Sequence, residues 1–182
     1  NIPSGNLALP FLLMFIGLGV EAKLLPFNSW VKGILGNANA LTGVLIGAVF
    51  ASTIALVFGR LLITVFVLDG FANIVMVILA VTILAGELMA YSSKKVREIV
   101  LFSSIAQSGL IVFLFATQLM VAAIMLIIAN IVSKFILFTL IGKITSETGT
   151  DEVNDLQGIF SKDKLTGLAF TVACLSVIGL PM

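Results

Sequence analysis

Leu7-Ala-Leu-Pro-Phe-Leu-Leu-Met-Phe-Ile-Gly-Leu-Gly-Val-Glu-Ala-Lys23-Leu-Leu-Pro26 is the stretch on which the reading of this chain turns. The apolar run from Leu7 to Val20 fits a membrane segment or a buried core helix. Lys23 closes that run, and Pro26 follows three residues later. A lysine at such a depth costs about 2.5–3.5 kcal/mol on insertion scales, so it is a functional candidate on energetic grounds. Pro26 donates no backbone hydrogen bond, and its ring crowds the carbonyl of Ala22. The helix is therefore expected to break between about Ala22 and Phe27. Membranes tolerate such breaks where the backbone is buried in protein or lines a wet cavity. Desolvation opposes the charged form of Lys23, and a lysine poised in this way can load and release a proton. Glu21 lies two residues earlier, on the opposite face of a regular helix, so a direct pair with Lys23 needs the break or a second helix. The competing reading has Lys23 snorkelling to an interface, with Pro26-Phe-Asn-Ser-Trp30 lying in that interface.

Composition agrees with a membrane setting. Of 182 residues, 60% are hydrophobic and only 10% charged, against about 25% charged in soluble domains. The net charge of +1 gives no footprint for nucleic acid, and no nucleic-acid partner is expected. Cys174 is the single cysteine and histidine is absent. A disulfide framework, an iron–sulfur cluster, bis-His haem ligation and His-based zinc are thereby excluded. No metal, cofactor or redox catalysis is expected on this chain. It begins at Asn1 without a methionine or basic leader and ends at Pro181-Met182 inside a hydrophobic run. Residues 1–182 therefore read as a single membrane domain, an internal piece of a longer protein.

About six segments approach the 20 residues that a spanning helix needs. They are Leu7 to Leu35 (interrupted near Pro26), Leu41 to Leu62, Phe71 to Tyr91, Ile99 to Ala116, Leu119 to Ile141, and one beginning near Leu165. Their apolar runs are continuous rather than alternating, which favours helices over a β-barrel. The expected fold is all-α, a polytopic transmembrane helix bundle with one proline-broken helix. Lys32, Lys94, Lys95, Arg97, Lys143, Lys162 and Lys164 follow the odd segments, and Arg60 stands alone on the other side. Seven basic residues against one place the loops at 32–40, 92–98 and 143–164 in the cytoplasm of a multi-pass protein of the cell's inner membrane. The 143–164 loop is polar, carries Glu147, Asp151, Glu152, Asp155 and Asp163, and reads as a solvated connector.

Lys134 repeats the pattern of Lys23 in the middle of the fifth segment. Asn130 sits four residues earlier on the same face, so the pair must face the bundle or water. The competing reading is a structural hydrogen bond between helices. In the fourth segment, Ser103 and Gln107 form one polar pair and Ser104 and Ser108 a second. These groups are candidates for a water chain between the lysines, or simply for close helix packing. Glu87, near the end of the third segment, is expected to pair with Lys94 or Lys95, or to tune the path. Gly17-Leu-Gly19-Val-Glu-Ala22 fits a dinucleotide fingerprint, but it lies inside a membrane-length run and is read as helix packing.

Four blocks of sequence carry a resemblance. They are Gly19-Val-Glu-Ala-Lys23-Leu-Leu-Pro26-Phe-Asn-Ser-Trp30; Val96-Arg-Glu-Ile-Val-Leu-Phe-Ser-Ser-Ile-Ala-Gln107-Ser-Gly109; Ser133-Lys134-Phe-Ile-Leu-Phe138; and Asp155-Leu-Gln-Gly158 with Leu175-Ser-Val-Ile-Gly-Leu-Pro181. In order and spacing they resemble the antiporter-like membrane subunits of respiratory complex I (NADH-quinone oxidoreductase), Mrp-type cation/proton antiporters and membrane-bound hydrogenases. The resemblance implies that Lys23 and Lys134 belong to a polar axis relaying protons within the membrane, with Glu21 tuning one of them. It implies partners: other membrane subunits of a redox-driven complex, the lipid bilayer, and protons, alone or exchanged for Na⁺. The family often has His where this chain has Asn130, and many members have Lys or His in the second segment, where this chain offers Thr42, Ser52 and Thr53. The alternatives are a structural membrane subunit that has lost pumping, and a stand-alone Mrp-type antiporter subunit.

Overall fold

The computed structural model describes residues 8–35, 39–65, 72–156, 158 and 163–178. Gly36 to Ala38, Gln157, Lys162 and Gly179 to Met182 lie outside the described residues. Helix α1 runs Ala8–Glu21, α2 Ser29–Leu35 and α3 Ala40–Val44, which continues through a π-helical turn, Leu45–Phe50, into α4, Ala51–Thr64. Helices α5 (Ala72–Ser92), α6 (Val96–Ala116), α7 (Met120–Thr148) and α8 (Lys164–Ile178) follow, with a 3₁₀ turn at Val153–Leu156 before α8. Among the described residues there is no strand, only an isolated antiparallel bridge from Lys95 to Glu152. The chain is all-α, as expected.

Among the described residues, four helices are long and apolar enough to cross a membrane: Leu41–Thr64, α5, α6 and α7. The two helices at either end, α1 and α8, are shorter. At about 1.5 Å per residue, the 29 residues of α7 reach beyond a hydrocarbon core of about 30 Å. The apolar run stops at Ile141, but the helix continues to Thr148 because its last two turns are polar and amphipathic rather than broken. Gly149, at φ 74°, then stops it: this left-handed conformation suits glycine.

The bundle is organised for lipid. On α5, Ile74, Val77, Val81, Leu84 and Leu88 face outward, as do Val121, Met125, Ile128 and Val132 on α7. Helix α6 is the central one, with 67% of its spanning window buried against 28% for α5. One apolar cluster, including Phe11, Phe15, Phe58, Leu79, Ile111 and Phe115, fills one part of the interior. A second, including Val100, Leu137, Phe138 and Ala173, joins α6, α7 and α8. Gly86 lets α5 lie against α6: a Cβ there would stand 2.8 Å from the backbone nitrogen of Ala106.

The loops at residues 32, 94–98 and 150–153 meet at one end of the bundle. Lys32 pairs with Glu98 at 3.3 Å and Lys95 with Asp151 at 3.9 Å. Val96 N–H donates to Asp151 O and Val153 N–H to Lys94 O, both at 2.9 Å. The basic loops after the odd segments thus share one face. At the start of α8, Asp163 caps the helix by accepting from Thr166 N–H at 3.2 Å, and it pairs with Lys143 at 2.9 Å.

Candidate functional site

The first helix stops at Glu21, and Lys23 sits in the turn that ends it. Its φ is 61°, the left-handed region that non-glycine residues seldom occupy. Leu24 N–H donates to Gly19 O at 2.8 Å and Lys23 N–H to Val20 O at 3.1 Å. These are the 6→1 and 5→2 bonds of a Schellman ending, with Lys23 in the position usually given to glycine. The expected break between Ala22 and Phe27 is present, but the turn that makes it begins before Pro26. Its polar groups are satisfied by protein. Leu25 N–H donates to Thr82 Oγ1 at 3.1 Å, and the Trp30 indole N–H to Val20 O at 3.1 Å. The left-handed turn directs the Lys23 side chain inward, where it is 1% exposed.

Lys23 Nζ reaches two partners, Ser104 Oγ at 3.3 Å and Gly47 O at 3.4 Å. Ser104 Oγ donates in turn to Gly47 O at 2.7 Å. Gly47 lies in the π-helical turn between α3 and α4, a local irregularity frequent at functional sites. A Cβ at Gly47 would stand 2.7 Å from the Phe138 ring, so only glycine lets this backbone approach both α7 and the lysine. Lys134 is fully buried and is held in the same way. Its Nζ donates to Val100 O at 3.0 Å and to the hydroxyl of Ser103, while Ser103 Oγ donates to Val100 O at 3.0 Å. Each lysine is therefore bound by one serine hydroxyl and by the backbone carbonyl which that serine also engages. The two serines are consecutive residues of α6.

Asn130 Nδ2 donates to Ser52 Oγ at 2.9 Å. Ser133 Oγ bonds Ser176 Oγ at 2.7 Å, tying α7 to α8. Gln107 Nε2 donates to Val177 O at 3.3 Å. The remaining oxygens, Gln107 Oε1 and Asn130 Oδ1, are buried without a protein partner. Glu21 is exposed and Lys23 buried, so the structure does not bring them together. Glu87 is also exposed. Among the described residues it makes no ion pair with Lys94 or Lys95, since Lys95 turns to Asp151. Glu87 instead lines a cavity of about 430 Å³ with Ser103 and Cys174.

Sequence reasoning singled out Lys23, Lys134, Ser103, Asn130 and Gln107. It had Ser104 only as half of a second polar pair, and it missed Gly47. The signal for Gly47 was present: Gly43 and Gly47, four apart in an apolar run, mark a face where another element comes close.

Residues 2–182 match the family model described as "NADH:quinone oxidoreductase/Mrp antiporter, TM". The chain is 32% identical to the NADH-quinone oxidoreductase subunit N of Desulforudis audaxviator, covering 96% of this chain and 36% of that protein. Its fold superposes on a chain of the membrane-bound sulfane sulfur reductase, an archaeal respiratory membrane complex, with TM-score 0.84 and 26% identity, over 93% of this chain and 36% of the other. It also superposes on a chain of respiratory complex I from Thermus thermophilus, with TM-score 0.81 and 25% identity, over 98% and 40%. The chain thus spans somewhat over a third of the length of these relatives. With four membrane-length apolar helices and a family match over nearly its whole length, this multi-pass membrane chain belongs to the NADH:quinone oxidoreductase/Mrp antiporter membrane family.

Proposed function

We propose that this chain carries the proton path of an antiporter-like subunit in a redox-driven membrane complex, moving protons alone or in exchange for Na⁺. The observation that carries this reading is the pair of buried lysines held by Ser104 and Ser103, adjacent on α6. Each hydroxyl can accept from an ammonium and donate onward. In the proposed path Lys23 is the switching base and Lys134 the next station. Buried acceptors such as Gln107 Oε1 and Asn130 Oδ1 are the kind of groups that buried waters bond, and such waters would link the stations. The two lysines are bound by adjacent serines of α6, and like charges brought near each other oppose one another's charged form, as a stepwise relay needs. Catalytic redox chemistry would belong to partner subunits, with no cofactor on this chain. The basic loops would face the cytoplasm across the inner membrane.

A structural role without pumping is favoured by one observation: Asn130 and Ser52 bond to each other where a second titrating base would stand in a full relay. Lys134→Ala in the full-length subunit separates the two readings. Lost proton uptake by vesicles with an intact complex supports the relay. Loss of assembly supports the structural role.

A further inference from the structure

The cavity of about 430 Å³ between α5, α6, α7 and α8 is lined by Glu87, Tyr91, Val100, Ser103, Leu137 and Cys174, among others. The relay from Lys23 to Lys134 makes no use of it. At roughly 30 Å³ per water, it is large enough for on the order of ten waters. Tyr91, 92% exposed, and Glu87 stand at its open side. Ser103 is part of its wall and is the one hydroxyl that binds Lys134 Nζ. A carboxylate at the mouth and the hydroxyl partner of a buried ammonium thus share one open space.

We propose that this cleft is a lateral proton inlet to Lys134, with Glu87 collecting the proton at the mouth and Ser103 passing it at the floor. The proposal rests on the relay reading and adds to it a route that does not pass through Lys23. The step is a proton transfer alone. The Glu87 carboxyl gives its proton to water in the cleft, Ser103 Oγ accepts from that water while giving up its own hydrogen to the Lys134 amine, and the carboxylate is reprotonated from the surface. No oxidant or reductant is involved. Protons suit the lining better than a metal cation does: one carboxylate and the hydroxyls of Ser103 and Tyr91 among mainly apolar side chains fall short of the six or more oxygens a hard cation takes. The other titratable groups lining the cleft are Tyr91 and Cys174.

Cys174, the single cysteine of the sequence, is a built-in reporter. Full-length subunit in native membrane vesicles is treated with a charged, water-soluble methanethiosulfonate, with Cys174→Ser as the control, and proton uptake is measured for Glu87→Gln and Glu87→Asp. The expected result is labelling of Cys174, a fall in uptake of about a hundredfold or more for Glu87→Gln, the range for losing a proton-transfer group, and recovery in Glu87→Asp. An unlabelled Cys174, meaning that lipid or protein fills the cleft, overturns the inlet. So does a Glu87→Gln variant that pumps like wild type. If Lys134→Ala still stops uptake in either case, the relay stands and the inlet alone fails. If Lys134→Ala pumps normally, both fail.

Discussion

Replacing Lys23 by methionine separates a lysine kept for transport from one kept for the fold. The side chain is 1% exposed, and among the described residues no carboxylate pairs with it. Its two hydrogen bonds are 3.3 and 3.4 Å, long for N–H···O contacts, which cluster between about 2.7 and 3.2 Å. Hydrogen bonds to a charged group contribute about 1.5–3 kcal/mol at good geometry, and these two fall short of it. Burial of an ammonium costs several kcal/mol even after relaxation. Methionine keeps the unbranched stem and roughly the volume. It leaves no acceptor stranded, because Gly47 O still receives Ser104 Oγ at 2.7 Å. The left-handed backbone at residue 23 disfavours both side chains alike. The expectation is that Lys23→Met is neutral to about 4 kcal/mol more stable, as found when buried ion pairs give way to packed apolar groups, and that it loses coupled proton uptake. Heating the solubilised complex and following the intact fraction by size exclusion reads the first quantity; proton uptake by vesicles reads the second. A variant that falls apart below the wild-type temperature would refute the reasoning on burial. One that pumps at the wild-type rate would remove Lys23 from the path.

Gly86→Ala should cost about 1–3 kcal/mol by overpacking, because its Cβ meets the Ala106 backbone at 2.8 Å; a thermal shift of the complex checks this, and an unchanged melting temperature would show that α5 can move aside. A double-mutant cycle between Asn130→Leu and Ser52→Ala should give a coupling near 0.6 kcal/mol, the mean for interhelical hydrogen bonds in membranes. It should not be larger, since the Asn130 oxygen has no protein partner to lose. At the start of α8, the Thr166 hydroxyl at 2.6 Å and then the Lys143 ammonium hold the Asp163 carboxyl well below the usual carboxylate range. A carboxyl lowered on folding stabilises at pH values above its unfolded value of about 3.9 and loses that effect as the pH falls through its lower folded value. Asp163→Asn should therefore lower thermal stability at pH 7, with a difference that shrinks below about pH 4; a difference constant down to pH 2 would assign the effect to something other than this charge.

The helices were legible in the sequence because lipid imposes long apolar runs, and α5 and α6 begin and end within a few residues of those runs. The end of α7 was not legible: past Ile141 hydropathy falls and Gly142, Thr145, Ser146 and Thr148 are weak helix formers, yet the helix runs on to the stop at Gly149, so the apolar run and the helix part company. The lysines were legible because charge in an apolar segment is costly. Their partners were harder to find. Ser104 looks like Ser103 or Ser108 in the sequence, and only the orientation of α6 decides which hydroxyl meets which lysine. Gly47 was hidden because its contribution is a carbonyl, and every residue has one. What selects it is the π-helical turn together with the ring of Phe138 against its missing side chain. Pro26 drew attention to the break, yet the geometry that aims Lys23 inward is a left-handed residue within the Schellman turn, a conformation that no pattern of apolar residues announces.

Adjacent residues of an α-helix project about 100° apart, since a turn takes 3.6 residues. Ser103 and Ser104 therefore look toward different neighbours, Lys134 on α7 and Lys23 at the end of α1, without any change in depth along the bundle. This spacing sets the two lysines side by side across one helix rather than one above the other. The proposed relay through them therefore runs across the bundle, not along it. It also makes α6 the shared lever. A rotation of α6 about its axis swings both hydroxyls in the same sense, so it disturbs both lysine contacts at once. The close fit of Gly86 against Ala106 and the burial of α6 on most of its surface oppose such a rotation. The distances at both lysines are thus held by the same packing that holds the fold.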